Sequence, residues 1–247
     1  MTESVPKKVL VLGSGPIIIG QAAEFDYSGT QACRALKEEG IETVLVNSNP
    51  ATIQTDLETA GTVYLEPLTI EVLKKIILRE KPDGILATMS GQTGLNLAVG
   101  LKEFLKEHKI RILGTSIETI ELAEDREKFR DLMVKIGEAV PVSLRAKSLE
   151  SLKAVVEKVG LPVLLRPDFC MGGEGTVFVE NLEQLDLHGK RSFELSGSGQ
   201  ILVEKSLVGL AEIEYEVIRD GNDNCITVCS MENFDPVGVH TGESIVV

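Results

Sequence analysis

After Lys8 the chain reads Val9-Leu10-Val11-Leu12 and stops at Gly13. A strand with one wet face alternates apolar and polar residues. A run that is apolar at every position has both faces away from water, as in a parallel sheet covered by helices on both sides. Short runs of the same kind recur at 43–46, 62–65, 84–87 and 110–113. Helical stretches separate them. One runs through residues 31–39 and is stopped by Gly40. Another covers about 69–80 with Ile70, Leu73, Ile76 and Ile77 on one face, and a third covers 92–106. Strands alternating with helices of this length predict an α/β fold with a doubly wound parallel sheet, ending near residue 120.

The rhythm then changes. Residues 123–136 and 149–159 read as amphipathic helices, the second closed by Gly160, and 162–167 reads as a strand ended by proline. After the glycines at 172, 173 and 175 the pattern is mostly strand, at 176–180, 200–204, 212–219 and 224–231, with Asp220-Gly221-Asn222-Asp223 as a hairpin turn. Ser196-Gly197-Ser198-Gly199 reads as a flexible loop. The expected organisation is an α/β domain over 1–120 and an antiparallel α+β domain over 121–247. Residues 242–247 read as a strand without cap or turn, and the expectation is either a chain cut there or a sheet completed elsewhere.

Charge narrows the function classes. The chain has 25 Lys plus Arg against 38 Asp plus Glu, a net charge of −13. Nucleic-acid affinity comes from Lys and Arg that release counterions, so a general polyanion binder is excluded. Aromatics are 4% and Trp is absent, which also argues against base-stacking platforms. The N-terminus lacks a signal-peptide core, and no apolar run reaches membrane-spanning length. The cysteines, Cys33, Cys170, Cys225 and Cys229, form no C-x-x-C pair. Cys225 and Cys229 share one face and read as small buried thiols rather than a metal site. The expected setting is the reducing cytoplasm.

Three constellations carry candidate chemistry. Gly13-Ser14-Gly15 lies between a strand and a helix, where a phosphate turn belongs. Ile18 stands where the dinucleotide fingerprint needs glycine, and the next strand ends in Asn47-Ser48-Asn49 with no acid for a ribose. A tight structural turn is therefore preferred to NAD binding. Arg166 followed by Gly172-Gly173-Glu174-Gly175 combines a fixed cation with backbone that can approach phosphates closely, as a lid over a nucleotide would. Val203-Glu204-Lys205-Ser206-Leu207 followed by Glu212 offers extended backbone for adenine and a carboxylate for ribose hydroxyls. His240 lies on a glycine-flanked loop; His108 and His188 receive no role.

Together, Gly15–Gln21, Glu24–Gly29, Val46–Thr52, Gly91-Gln92-Thr93, Glu124-Asp125-Arg126, Met171-Gly172-Gly173, Glu232-Asn233-Phe234-Asp235 and Gly238-Val239-His240-Thr241-Gly242 resemble, in order, the carbamoyl-phosphate synthase large chain. The similarity is to its amino-terminal, carboxyphosphate-forming half. It implies a pre-ATP-grasp domain (1–120) followed by the front part of an ATP-grasp domain (121–247). The implied chemistry is ATP-dependent phosphorylation of bicarbonate, on the way to carbamoyl phosphate for arginine and pyrimidine synthesis. The implied partners are a glutaminase small chain supplying ammonia and the remainder of the large chain.

Carried over by motif, Arg126, Arg166 and His240 are the expected catalytic residues. The expected ATP contacts are Arg126, Arg166, Gly172, Gly173, Lys205, Leu207, Glu212, Gly238, Val239 and His240. The resemblance puts the Mg²⁺ or Mn²⁺ ligands beyond Val247, so no metal ligand and little activity are expected of this segment alone. Lys205 stands where the family often has an acid, Leu210-Ala211 replaces a common Trp-Lys pair, and Glu174 and Thr176 replace smaller lid residues. The alternatives are a non-catalytic assembly or binding fragment and another ATP-grasp carboxylate ligase.

Overall fold

Five strands, β1 (Lys8–Leu12), β2 (Glu42–Asn47), β3 (Thr62–Leu65), β4 (Gly84–Leu86) and β5 (Arg111–Leu113), run parallel in the order β3-β2-β1-β4-β5. The computed structural model describes residues 5–16, 24–167, 175–235, 237 and 247, apart from the Arg126 side chain. It divides into two compact units, Met1–Leu132 and Met133–Val247.

In the first unit, the alternation of β1 explains why its run is apolar throughout. Val9 and Val11 pack with Cys33, Ile41, Leu45 and Ala60 under α1 (Glu24–Glu38). Leu10 and Leu12 face the opposite way, with Val44, Val46 and the apolar stripes of α2 (Ile70–Glu80) and α3 (Gly91–Glu107). All four apolar residues of β1 are fully buried. Each such aliphatic side chain contributes about 1.5–3 kcal/mol of transfer free energy. Thr69 caps α2 by accepting the Val72 N–H, satisfying one of the donors that a helix start leaves open.

The helix expected over 123–136 is two helices, α4 (Ile117–Glu124) and α5 (Arg126–Ile136). Asp125 separates them. Its backbone leaves the helical region, and its Oδ1 accepts the N–H groups of Glu127 and Lys128 at 3.0 and 3.1 Å. This is an N-cap, and a cap ends one helix as it starts the next.

The second unit holds β6 (Ser143–Ala146), β7 (Val163–Pro167), β8 (Val177–Val179) and β9 (Ile201–Lys205) in the order β6-β9-β7-β8, paired antiparallel. Helices α6 (Leu149–Val159) and α7 (Leu182–Leu195) bury one face of this sheet through Leu152, Val156, Val159 and Leu185. Helix α7 corrects the expectation of mostly strands after the glycine cluster. Its buried face is Leu185, Gly189 and Ser192, while Leu182, Leu187 and Leu195 are exposed. A Cβ at Gly189 would lie 2.6 Å from Leu152 Cδ2, so close packing requires glycine where an apolar stripe would have revealed the helix.

A separate hairpin joins β10 (Glu212–Arg219) to β11 (Cys225–Asn233). The expected turn is present: Asp220 Oδ1 accepts the N–H groups of Asn222 and Asn224, both at 2.9 Å. Cys225 and Cys229 are exposed on β11, not buried, because no element among the described residues covers that strand's apolar positions. Of the expected strand at 242–247 only Val247 is described; it exchanges both backbone hydrogen bonds with Glu232 of β11.

Candidate functional site

Period-two alternation sorts β7 and β9 into two faces. Val163, Leu165, Ile201 and Val203 point to the helices and are fully buried. Leu164, Arg166, Leu202 and Glu204 lie on the opposite, half-exposed face. There Arg166 Nη2 pairs with Glu204 Oε1 at 3.0 Å, the side chains being 31% and 25% exposed. Arg166 Nε is buried and has no hydrogen-bond partner among the described residues. A buried donor left unpaired costs about 1–3 kcal/mol, which an incoming acceptor removes. The guanidinium is thus held by a carboxylate on one arm and keeps one donor unused among the described residues, on a half-exposed sheet face.

Glu204 is the partner that motif reading passed over. Strand register brings the pair together: Leu164 and Glu204 are register partners and Arg166 lies two residues along the same face.

Lys205, one residue on, turns to the helix side. Its Nζ donates to Gly160 O at 2.9 Å and Leu161 O at 2.7 Å, at the end of α6. The ammonium therefore does not share the face of Arg166, and the Lys205 N–H donates to Val142 O at 2.8 Å. Ser206 N–H donates to Pro162 O, and Leu207 follows, half-buried, its carbonyl accepting the Leu210 N–H at 3.0 Å. Glu212 opens β10 opposite Asn233 and is half-exposed. Asn233 donates to Glu214 Oε1, on the same face of β10 as Glu212.

Gly172, Gly173, Gly238, Val239 and His240 lie outside the described residues. Arg126 is the first residue of α5 and belongs to the first unit. The acids before it serve the fold: Glu124 accepts a hydrogen bond from Gln92 Nε2 at 2.7 Å, and Asp125 caps α5.

The first glycine turn shows why the NAD reading fails. A Cβ on Gly13 would lie 2.6 Å from Asn47 Nδ2, so the turn packs directly on the tip of β2. Asn47 is fully buried, donates to Gln54 Oε1 at 3.0 Å and accepts the Asn49 N–H at 3.0 Å. Gln54 in turn donates to Phe25 O at 2.7 Å, anchoring the start of α1. The position that would hold a ribose is occupied by a structural amide. Among the described residues no group of three or more His, Cys, Asp or Glu side chains is placed to hold a metal ion. No described helix is long and apolar enough to cross a membrane.

Residues 5–122 match the carbamoyl phosphate synthase preATP-grasp domain, and residues 125–247 match the carbamoyl-phosphate synthase L chain ATP binding domain. The carbamoyl phosphate synthase large chain N-terminal section of Methanopyrus kandleri is 59% identical over 244 residues, covering 98% of this chain and 43% of that protein. The large chain of Clostridium perfringens strain SM101 is 60% identical over 243 residues, covering 98% and 23%. The chain thus spans less than half the length of these relatives. Among solved structures, the biotin carboxylase domain of Hydrogenobacter thermophilus 2-oxoglutarate carboxylase, in complex with MgADP, ADP and bicarbonate, superposes with a TM-score of 0.68 at 24% identity, covering 93% of this chain and 51% of that one. N5-carboxyaminoimidazole synthetase of Staphylococcus aureus complexed with ADP gives a TM-score of 0.65 at 18% identity, covering 93% and 55%. These likenesses establish the fold, and the two consecutive domain matches with 59–60% identity along nearly the whole chain establish the lineage: the chain belongs to the carbamoyl phosphate synthase large-chain family, in its amino-terminal half.

Proposed function

We propose that this chain forms part of the site at which ATP phosphorylates bicarbonate. A bicarbonate oxygen takes the γ-phosphoryl group of ATP, giving carboxyphosphate and ADP. Ammonia then attacks the carboxyphosphate carbon, phosphate leaves, and carbamate remains for a second phosphorylation by the remainder of the large chain. Phosphoryl transfer depends mostly on positioning and charge stabilisation, so the protein's part is cations and backbone donors rather than covalent chemistry.

The observation that carries this reading is the buried Nε of Arg166, without a partner among the described residues, on a half-exposed sheet face, with Glu204 fixing the other arm. In this assignment Arg166 meets the nucleotide phosphates and the reacting anion, with Arg126 and His240. Gly172 and Gly173 supply lid amides. Lys205 and Leu207 read adenine through backbone groups, Glu212 holds the ribose hydroxyls, and Gly238 and Val239 line the acceptor side. The ADP and bicarbonate bound by the biotin carboxylase domain support the substrate classes. Mg²⁺ or Mn²⁺ would accompany ATP, but the described residues include no acidic cluster fitted to hold it. The proposed partners are the rest of the large chain and a glutaminase small chain.

In a full-length large chain, Arg166→Ala should lower bicarbonate-dependent ATP hydrolysis by about 10²-fold, the usual loss for one preorganised charge-stabilising donor. Steady-state kinetics at saturating ATP measures it. Unchanged hydrolysis would remove Arg166 from the site.

A further inference from the structure

The edge of the parallel sheet opposite the glycine turn carries an open cavity of about 680 Å³, within the usual range for small-molecule sites. It lies where β1, β4 and β5 begin and where α2 and α3 end. Four fixed cations, Lys7, Lys81, Lys109 and Arg111, line it, against one carboxylate, Asp83, in a chain whose net charge is −13. Asp83 is already engaged. Its Oδ2 accepts the N–H groups of Lys7 and Lys8 at 2.7 and 3.0 Å, tying the start of β1 to β4.

Backbone conformation singles out two of the lysines. After α1, α5 and α6 the chain turns through left-handed glycines, Gly40, Gly137 and Gly160, the residue type that pays no Cβ penalty there. After α2 and α3 it turns through left-handed lysines, Lys81 at φ 49° and Lys109 at φ 57°. Glycine would fit both positions with less strain. A cation is kept at the two helix ends that face the cavity, at a conformational cost the other three ends avoid. Such strain clusters at sites that bind something.

We propose that this cavity is a second ligand site, for a phosphorylated small molecule whose dianionic head is held by Lys7, Lys81 and Lys109 and whose apolar body lies against Ile77, Leu78 and Ile110. The site is independent of the ATP-site reading, because none of its lining residues is among those assigned to ATP or the reacting anion.

His108 lines the same cavity and reports on it, its ring lying over Phe104 at 4.2 Å. The test is an NMR titration of the whole chain with phenyl phosphate, following the His108 ring and assigning it with His108→Gln. Phenol and inorganic phosphate are the control arms. Phenyl phosphate should shift the His108 resonance saturably and bind at least about tenfold more weakly at 0.5 M salt than at 0.05 M, since screening over this distance is strong. Phenol should leave the resonance unmoved, and inorganic phosphate should saturate more weakly. The double variant Lys81→Gly, Lys109→Gly should weaken binding by at least about tenfold with an unchanged or higher Tm. Absence of saturation, a phenol response equal to that of phenyl phosphate, or full binding by the double-glycine variant would overturn the site. Phosphate binding as tight as phenyl phosphate would overturn the role of the apolar wall. A lower Tm in the double variant would show that the lysines serve the helix ends instead.

Discussion

The two larger sheets among the described residues are built from similarly short strands yet use their faces differently. In the first unit β1 is buried on both sides, Val9 and Val11 under α1 and Leu10 and Leu12 against α2 and α3. In the second unit, among the described residues, α6 and α7 cover one side, and the other, half-exposed side displays Arg166 and Glu204. The β10–β11 hairpin goes further, with Ile213, Tyr215, Ile226 and Val228 all more than half exposed. A sheet closed on both faces contributes stability and leaves only its strand ends for a ligand. A sheet closed on one face keeps enough core to hold its strands in register and frees alternate residues for chemistry.

Thiol chemistry gives the widest separation between these regions. Cys33 lies in the closed core of the first unit, and burial pushes its thiol up to about 11 from 9.0. That alone cuts the reactive thiolate by about a hundredfold, and enclosure adds to it. In a Cys170→Ser background, a disulfide-exchange reagent should label the exposed Cys225 and Cys229 rapidly and Cys33 only on unfolding. Peptide mapping after a short pulse measures this. Early labelling of Cys33 would break the contrast.

Core truncation comes next. Leu101 is fully buried between α3 and the parallel sheet, so Leu101→Ala should destabilise the first unit by about 2–5 kcal/mol in denaturant unfolding.

A smaller effect appears in acid. Tyr64 Oη donates to Glu80 Oε1 at 2.5 Å, and Lys8 Nζ lies 3.3 Å from Glu80 Oε2. The tyrosine hydroxyl first, and Lys8 second, hold the Glu80 carboxyl below its ordinary range. A carboxyl depressed by folding stabilises the native state above its unfolded pKa, and that contribution is lost as pH falls through the folded value. Tyr64→Phe should therefore cost up to about 1 kcal/mol at pH 7 and less at pH 3. Tm measured across that range checks the sign; an equal loss at both ends would rule the coupling out. The smallest change belongs to the hairpin, where Ile226→Thr should stay within about 0.5 kcal/mol. A core-sized loss there would mean that this face is covered after all.

Legibility followed the same division. The unbroken apolar runs announced the parallel sheet because burial on both faces leaves no polar position to blur them. Helix α7 was hidden because its packing face is Leu185, Gly189 and Ser192, and β6 because Ser-Leu-Arg-Ala has no β-branched residue. Arg166 was visible from its place between a strand and a glycine cluster. Its partner Glu204 and the diversion of Lys205 to the carbonyls of Gly160 and Leu161 were not, since both depend on which way a side chain leaves β9.

Sequence alone thus determined the strand–helix order of the parallel sheet and the family, because local periodicity and ordered motifs are written along one dimension. Tertiary structure decided what those residues do in space. It put Asn47 into a buried amide pair with Gln54, left Arg166 Nε without a partner, exposed Cys225 and Cys229, and gathered Lys7, Lys81, Lys109 and Arg111 around one cavity. These outcomes depend on which distant segments meet, and strand register and helix packing set that, not the spacing of residues along the chain.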